Sequence, residues 1–323
     1  MMSDTRKNFY LGETFGRNLF DLNCEFNNIN QLNEKNVLSS QLIKFLIKTN
    51  NGAKYFKFVW GDIPDNKIHP IALCKNRGRS QVDGVILKTM SYHLWESYYR
   101  KPSDILFKDK QNKIFWRGAT TGNLCYPANR FSLIEKYFNK EKNIDVGFSN
   151  TTRLKYKFTK YVKGRCNKTA FLTNKYLLSL EGHAQDSGLI WKLNSNSLVL
   201  MPKPRATSWL METTLVPDYH YVLLSDDFSD LEEKLDWCNN HQQECIEIIK
   251  NANDFMKQFS NKDEEEKLEL DVINTYFETL ESRSEFPRSL IIPENRITGE
   301  HHVIYAKPHG PPPHGYICGS PND

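Results

Sequence analysis

The spacing of apolar and polar positions changes along the chain. Residues 1 to about 50 are polar and rich in Asn, with one helical stretch at 39–47. The aromatic and β-branched run 55–60 predicts a strand, closed by Gly61 and Pro64, which punctuate the chain. The runs 71–74 and 84–87 predict two further strands, and 91–108 reads as an amphipathic, aromatic connector. From Lys113 the pattern becomes regular. A strand at 114–116 and a loop at 117–123 precede a helix in which Pro127 occupies the first turn, ahead of Phe131, Leu133, Ile134, Tyr137 and Phe138. Strands at 144–148, 176–180, 198–201 and 221–224 follow, with helices near 184–193 and 208–215. Ser229 and Glu232 fit a capping box that opens a helix with Leu231, Leu235 and Cys238 on one face. Cys245, Ile249, Ala252, Met256 and Phe259 continue at helical spacing, and a last helix with an acidic first turn covers 263–280.

Strands alternating with helices define an α/β chain with parallel sheet. Two such blocks, before and after about residue 105, predict two doubly wound domains facing a cleft: 1–105, then 106–260, followed by a C-terminal helical segment at 261–286. The stretch 287–323 carries Pro308, Pro311, Pro312, Pro313 and four histidines and reads as an extended or disordered appendage. In doubly wound sheets ligands bind beyond the carboxyl ends of the strands, which selects the loops 61–65, 117–123 and 181–188.

Composition adds exclusions. A net charge of +4, with Lys and Arg interleaved among acids, gives no argument for nucleic acid, although a mildly basic chain suits the neighbourhood of an anionic membrane surface. No apolar stretch reaches bilayer length and no signal-peptide core opens the sequence, so the expected location is cytoplasmic. Seven cysteines without a CxxC pair fit reduced thiols.

Three loops carry candidate chemistry. Arg117, Gly118, Thr120, Thr121 and Gly122, ahead of a helix, combine an arginine fork with backbone N–H groups and suit a diphosphate; an ordinary βα turn with a surface arginine is the alternative. Gly182 permits close backbone approach, and Asp186 and Ser187 could bond ribose or sugar hydroxyls, or simply cap a helix. Asp62 follows a strand, where a carboxylate facing a cleft serves as a general base or forms a turn. Asp226 and Asp227 lead into the helix at 229, and no metal site is expected.

These residues resemble glycosyltransferase family 90, most closely its bacterial lipopolysaccharide branch, which is related to the protein O-glucosyltransferases. The resemblance is carried by 114–120 with Arg130, and by the run 175–237, including KYLLSLEG, the segment from Ile190 to Val222, and DDFSDLEEKLDW. It implies a GT-B fold of two Rossmann-like domains, an inverting mechanism, a UDP-sugar donor, and no cofactor or required metal. The acceptor it implies is a glycan or lipid-linked glycan, with a peripheral contact at the inner membrane. By position, Asp62 in its Asp-x-Pro setting becomes the base. Arg117, Gly118, Ala119 and Thr120 fall at the nucleotide, with Gly182, Asp186 and Ser187. Glu212 bonds a donor hydroxyl or orients Arg117 or Lys203. Eukaryotic members carry a phosphate-binding arginine where this chain has Gly188; Arg130, Lys203 or Arg205 are the candidates for the missing charge.

Overall fold

The computed structural model describes residues 2–13, 15, 45, 56–59, 62, 68–78, 83–91, 96, 98–99, 103–122, 124, 126–150 and 158–282. Of the helix expected at 39–47 only residue 45 is described, and the appendage at 287–323 lies outside the described residues.

The rear half is a five-stranded, wholly parallel sheet made of β5 (Gln111–Ala119), β6 (Ile144–Asn150), β7 (Asn174–Leu178), β8 (Leu198–Met201) and β10 (Val222–Leu223). Its order is β10-β8-β7-β5-β6. The chain therefore leaves β5 in one direction to make β6, then returns to the other side of β5 to make β7. This reversal creates a crevice between the carboxyl ends of β5 and β7. Alternate residues feed the two faces. Ile114, Trp116, Tyr176, Leu178, Leu198 and Leu200 pack on one side beneath α2 (Arg130–Tyr137), α5 (Leu231–Asn240) and the start of α6 (Gln242–Lys257). On the other side Phe115 and Leu177 meet α3 (Lys168–Leu172), and Val199 and Met201 meet α4 (Leu189–Lys192).

The front half contributes β1 (Lys57–Phe58), β2 (Ala72–Cys74) and β4 (Val85–Ile86), parallel in the order β1-β2-β4. Between β2 and β4 the chain makes β3 (Asn76–Gly78), which pairs antiparallel with β9 (Ala206–Ser208) of the rear half. The front strands and Val199, Met201, Trp209 and Met256 of the rear half belong to one continuous apolar core.

The helix α7 (Lys262–Glu281) returns to the front half and packs on α1 (Met2–Leu11). Buried Glu265 accepts from Arg6 at 2.5 and 2.8 Å and from Lys88 Nζ at 2.5 Å, and Glu269 accepts from the backbone N–H of Thr89. No helix among the described residues is long and apolar enough to cross a membrane.

Several boundaries differ from expectation. Strand β5 runs through Arg117, Gly118 and Ala119, which were expected in a loop, because β6 pairs with them as far as Asn150. The helix expected at 184–193 is confined to Leu189–Lys192, since Asp186 holds the preceding turn by accepting from Gly188 N–H at 2.9 Å. Of the helix expected near 208–215, Ser208 closes strand β9 (Ala206–Ser208), which β3 partners, and only Glu212–Thr214 coil, as a single 3-10 turn. The 229–232 capping box does not form. Asp230 is the N-cap of α5 without a side-chain cap bond, and its carboxylate accepts instead from Ser225 N–H. The helix beginning at Arg130 starts later than Pro127, at the cap made by Asn129, whose side chain accepts from Phe131 and Ser132 N–H.

Candidate functional site

At the β5/β7 crevice the guanidinium of Arg130 is buried between the two strand ends. It donates to Ala119 O at 3.1 Å, Thr121 Oγ1 at 2.6 Å, Leu180 O at 2.9 Å and Glu181 O at 3.1 Å. Its donors are committed to the protein, so Arg130 clamps the 119–122 and 180–182 turns together. Gly182 is required by this closeness: a Cβ there would lie 3.0 Å from Thr121 Oγ1 and 3.2 Å from an Arg130 nitrogen. Gly118 serves packing, since a Cβ at that position would lie 2.5 Å from the Trp116 ring.

Beside the clamp, beyond the ends of β7 and β8, opens a recess lined by Ser179, Glu181, Gln185, Asp186, Lys203, Arg205 and Glu212 among others. The carboxylate of Glu181 accepts from Arg205 N–H at 2.8 Å, Ala206 N–H at 2.9 Å and Arg205 Nε at 3.0 Å. Arg205 also stacks on Tyr126, with Cζ 3.8 Å from the ring centroid. The guanidinium is thus fixed at one edge and across its face, while its Nη1 is buried without a hydrogen-bond partner among the described residues. Gln185 Oε1 is orphaned in the same way. Buried polar atoms are seldom left unpaired, and two of them in one recess mark a place for a polar ligand. Exposed Lys203, at the mouth, makes no ion pair among the described residues.

Asp186 is turned inward. It accepts from Ser179 Oγ at 2.8 Å, Gly188 N–H at 2.9 Å and Lys192 Nζ at 2.5 Å. Burial pushes its carboxyl up, but Lys192 and then Arg130 outweigh that and hold it below the ordinary carboxylate range. Lys192 stands where sequence reasoning noted a missing cation: a Cβ on Gly188 would lie 3.3 Å from Lys192 Nζ. Glu212 follows Met211, whose backbone is left-handed at φ 60° and ψ 40°, a conformation that costs a non-glycine residue about 1 kcal/mol or more. Burial raises Glu212 to about 7, with Glu181 adding to the rise and hydrogen bonds from Ser208 opposing it.

The recess therefore gathers Asp186, Lys203 and Glu212 of the sequence-derived candidates, with Arg130 and Gly182 behind them. Arg117 and Ala119 line a separate depression with Ser149, Asn150, Arg165, Cys166 and Phe171, and Arg117 pairs with Asp145 there at 2.8 Å. Thr120 is buried and Ser187 is exposed. Asp62 is one-third exposed and ion-paired with Lys75 at the carboxyl end of β2, outside both linings. Arg205 surfaced in the sequence only as one of three substitutes for a missing charge. Glu181 and Gln185 carried no signal beyond their place in a strand-to-helix turn, and Lys192 none beyond its place in the helix that follows.

The crevice and the recess beside it lie within a stretch shared with a known family. The sequence profile of glycosyl transferase family 90 matches residues 87–297, and the chain belongs to that family. It is 34% identical over 203 residues to the O-glucosyltransferase LpsA of Dichelobacter nodosus, a match covering 63% of this chain and 60% of that protein. Shorter stretches are similar to the uncharacterized proteins 179R of Invertebrate iridescent virus 6 (28% over 95 residues) and 027R of Frog virus 3 (37% over 78 residues), each covering 8% of the viral protein. The profile match begins beyond Asp62.

Proposed function

We propose that this chain is an inverting hexosyltransferase that moves a sugar from a UDP-sugar to a hydroxyl of a lipopolysaccharide or other surface glycan. The observation that carries the reading is the Arg205 guanidinium, held by Glu181 and Tyr126 with Nη1 buried, beside exposed Lys203, neither Nη1 nor Lys203 having a partner among the described residues. A planar fork and a point charge at strand ends suit a diphosphate, and they stabilise the charge that builds on it as it leaves. In this reading the front and rear sheets form the two Rossmann-like bodies of a GT-B enzyme, meeting at the β3–β9 ribbon. The boundaries follow the two blocks, 1–105 and 106–260, with α7 closing back on the first. Asp62, at the front sheet's carboxyl edge, takes the acceptor proton while the acceptor oxygen attacks the anomeric carbon and UDP departs. No metal or other cofactor takes part. The enzyme works on the cytoplasmic side, peripheral to the inner membrane, where a lipid-linked glycan acceptor is presented.

A second reading, a transferase-like module that holds a glycan or a protein without transferring sugar, is favoured by one observation. The cation that stands beside Gly188, Lys192, is already paired with Asp186. A thermal-shift panel of nucleotide sugars, followed by UDP-release assays on a lipooligosaccharide acceptor with and without a chelator, separates the two. One UDP-sugar should raise the melting point by mass action and be turned over in chelator. Binding without turnover would favour the module, and no stabilisation by any UDP-sugar would remove the donor site.

A further inference from the structure

Glu212 lines the recess with only 2% of its surface exposed. Both oxygens are held by one residue: Ser208 N–H donates to Oε2 at 2.6 Å and Ser208 Oγ donates to Oε1 at 2.7 Å. No ion pair to Glu212 forms among the described residues, because every element around it has spent its charge elsewhere or holds it at the rim. In α4, Lys192 is committed to Asp186, and in α2, Arg130 to three carbonyls and Thr121. On β3, Arg77 donates to Phe9 O and Gly84 O and is paired in register with Thr207, one residue off Ser208, hence on the opposite face of the ribbon. Between β8 and β9, Arg205 is held by Glu181, and Lys203 stands exposed at the mouth. The nearest like charge is Glu181, from the turn after β7.

An anionic diphosphate entering this recess brings its charge towards a carboxylate that lacks a cation and is largely cut off from water. Like charges at low dielectric repel strongly, and the economical remedy is a proton. We infer that Glu212 is a donor-positioning residue that takes up a proton when an anionic donor enters the recess and presents the resulting O–H to it. The inference rests on the recess being the donor site. Its geometric basis is a carboxyl buried in the recess, fixed by two hydrogen bonds and matched by no cation. Its raised proton affinity in the empty recess, about 7, means that part of the population is already neutral near physiological pH.

The test is isothermal titration of the full chain with UDP-glucose, whose esterified diphosphate keeps its charge through neutral pH, at pH 7.5 in two buffers of different ionisation enthalpy. The expected result is uptake of roughly half to one proton per donor bound, and an affinity that falls roughly tenfold between pH 6.5 and pH 8.5. Glu212→Gln keeps both contacts to Ser208, accepting at one atom and donating at the other, and should bind without proton uptake and with a flat pH profile. Zero uptake in the unmodified chain, or undiminished uptake in the variant, would overturn the inference. If the variant fails to fold, the proton count of the unmodified chain decides alone. Failure of UDP-glucose and of every other UDP-sugar to bind at either pH would overturn the donor reading and the coupling with it, whereas binding without uptake overturns the coupling alone.

Discussion

Glu181 and Arg205 are joined twice across the gap between β7 and β9, and a third bond ties Glu181 to Ala206. The carboxylate accepts the Arg205 backbone N–H, the adjoining Ala206 N–H and the Arg205 Nε. One carboxylate thus fixes both the course of the chain and the aim of the guanidinium before any ligand arrives, with Nη1 buried and without a partner among the described residues. Preorganisation of this kind removes an ordering cost from binding.

Replacing Arg205 with Ala should therefore weaken UDP-sugar affinity by about 1.5–3 kcal/mol, the value of a hydrogen bond to a charged group, without preventing folding. Titration calorimetry of the variant measures it; affinity equal to the parent's would exclude Arg205 from the donor contact.

Arg130 has a different role and should respond differently. Arg130→Met leaves three buried carbonyls without their donor, at a cost of roughly 3 kcal/mol or more, and should lower the melting point before any effect on catalysis is considered. Arg130→Lys should rescue little, since one ammonium group lacks the planar fork that spans two turns. A lysine variant as stable as the parent in denaturant titration would refute the clamp.

The Asp186–Lys192 pair predicts a pH effect of definite sign. Asp186 has a depressed proton affinity in the folded chain, so its contribution to stability is complete above the ordinary Asp range of about 4 and is lost as the pH falls through the lower folded value. Lys192→Met strands the buried carboxylate and should cost about 3–5 kcal/mol at neutral pH. Melting curves taken from pH 3 to pH 8 should show this deficit shrinking in acid, and a constant deficit would contradict the pairing.

Asp62→Asn should leave donor affinity near the parental value and reduce transfer by about 10² to 10⁴, the usual contribution of a general base. Retention of most of the transfer rate by the asparagine variant would assign the proton to another group.

The rear sheet was legible in the sequence because its strands are short apolar runs between turn residues. The strand expected at 198–201 is β8, Leu198–Met201. Arg117 was misplaced because hydropathy cannot tell a polar residue in a loop from one on a strand whose neighbour β6 runs alongside it. The β3–β9 ribbon was invisible: each partner is three residues long, and they lie far apart in sequence. What makes Ala206–Ser208 a strand is the front half arriving beside it. Arg205 was hidden for the same reason, because its orientation comes from Glu181 and Tyr126, which periodicity does not connect to it. The acidic start of α7 was readable as a helix signal, whereas the partnership of Glu265 with Arg6 and Lys88 is purely tertiary.

That last partnership sets a timetable for synthesis. Buried Arg6 and Lys88 have their carboxylate on a helix that leaves the ribosome after nearly everything else described, so the opening segment waits with its charges unmatched while the five-stranded sheet, whose pairings are all local to 111–223, can assemble first. Of the described segments, those carrying Arg6 and Lys88 are thereby completed after a sheet that lies later in the chain, against the usual amino-to-carboxyl progression of folding domains.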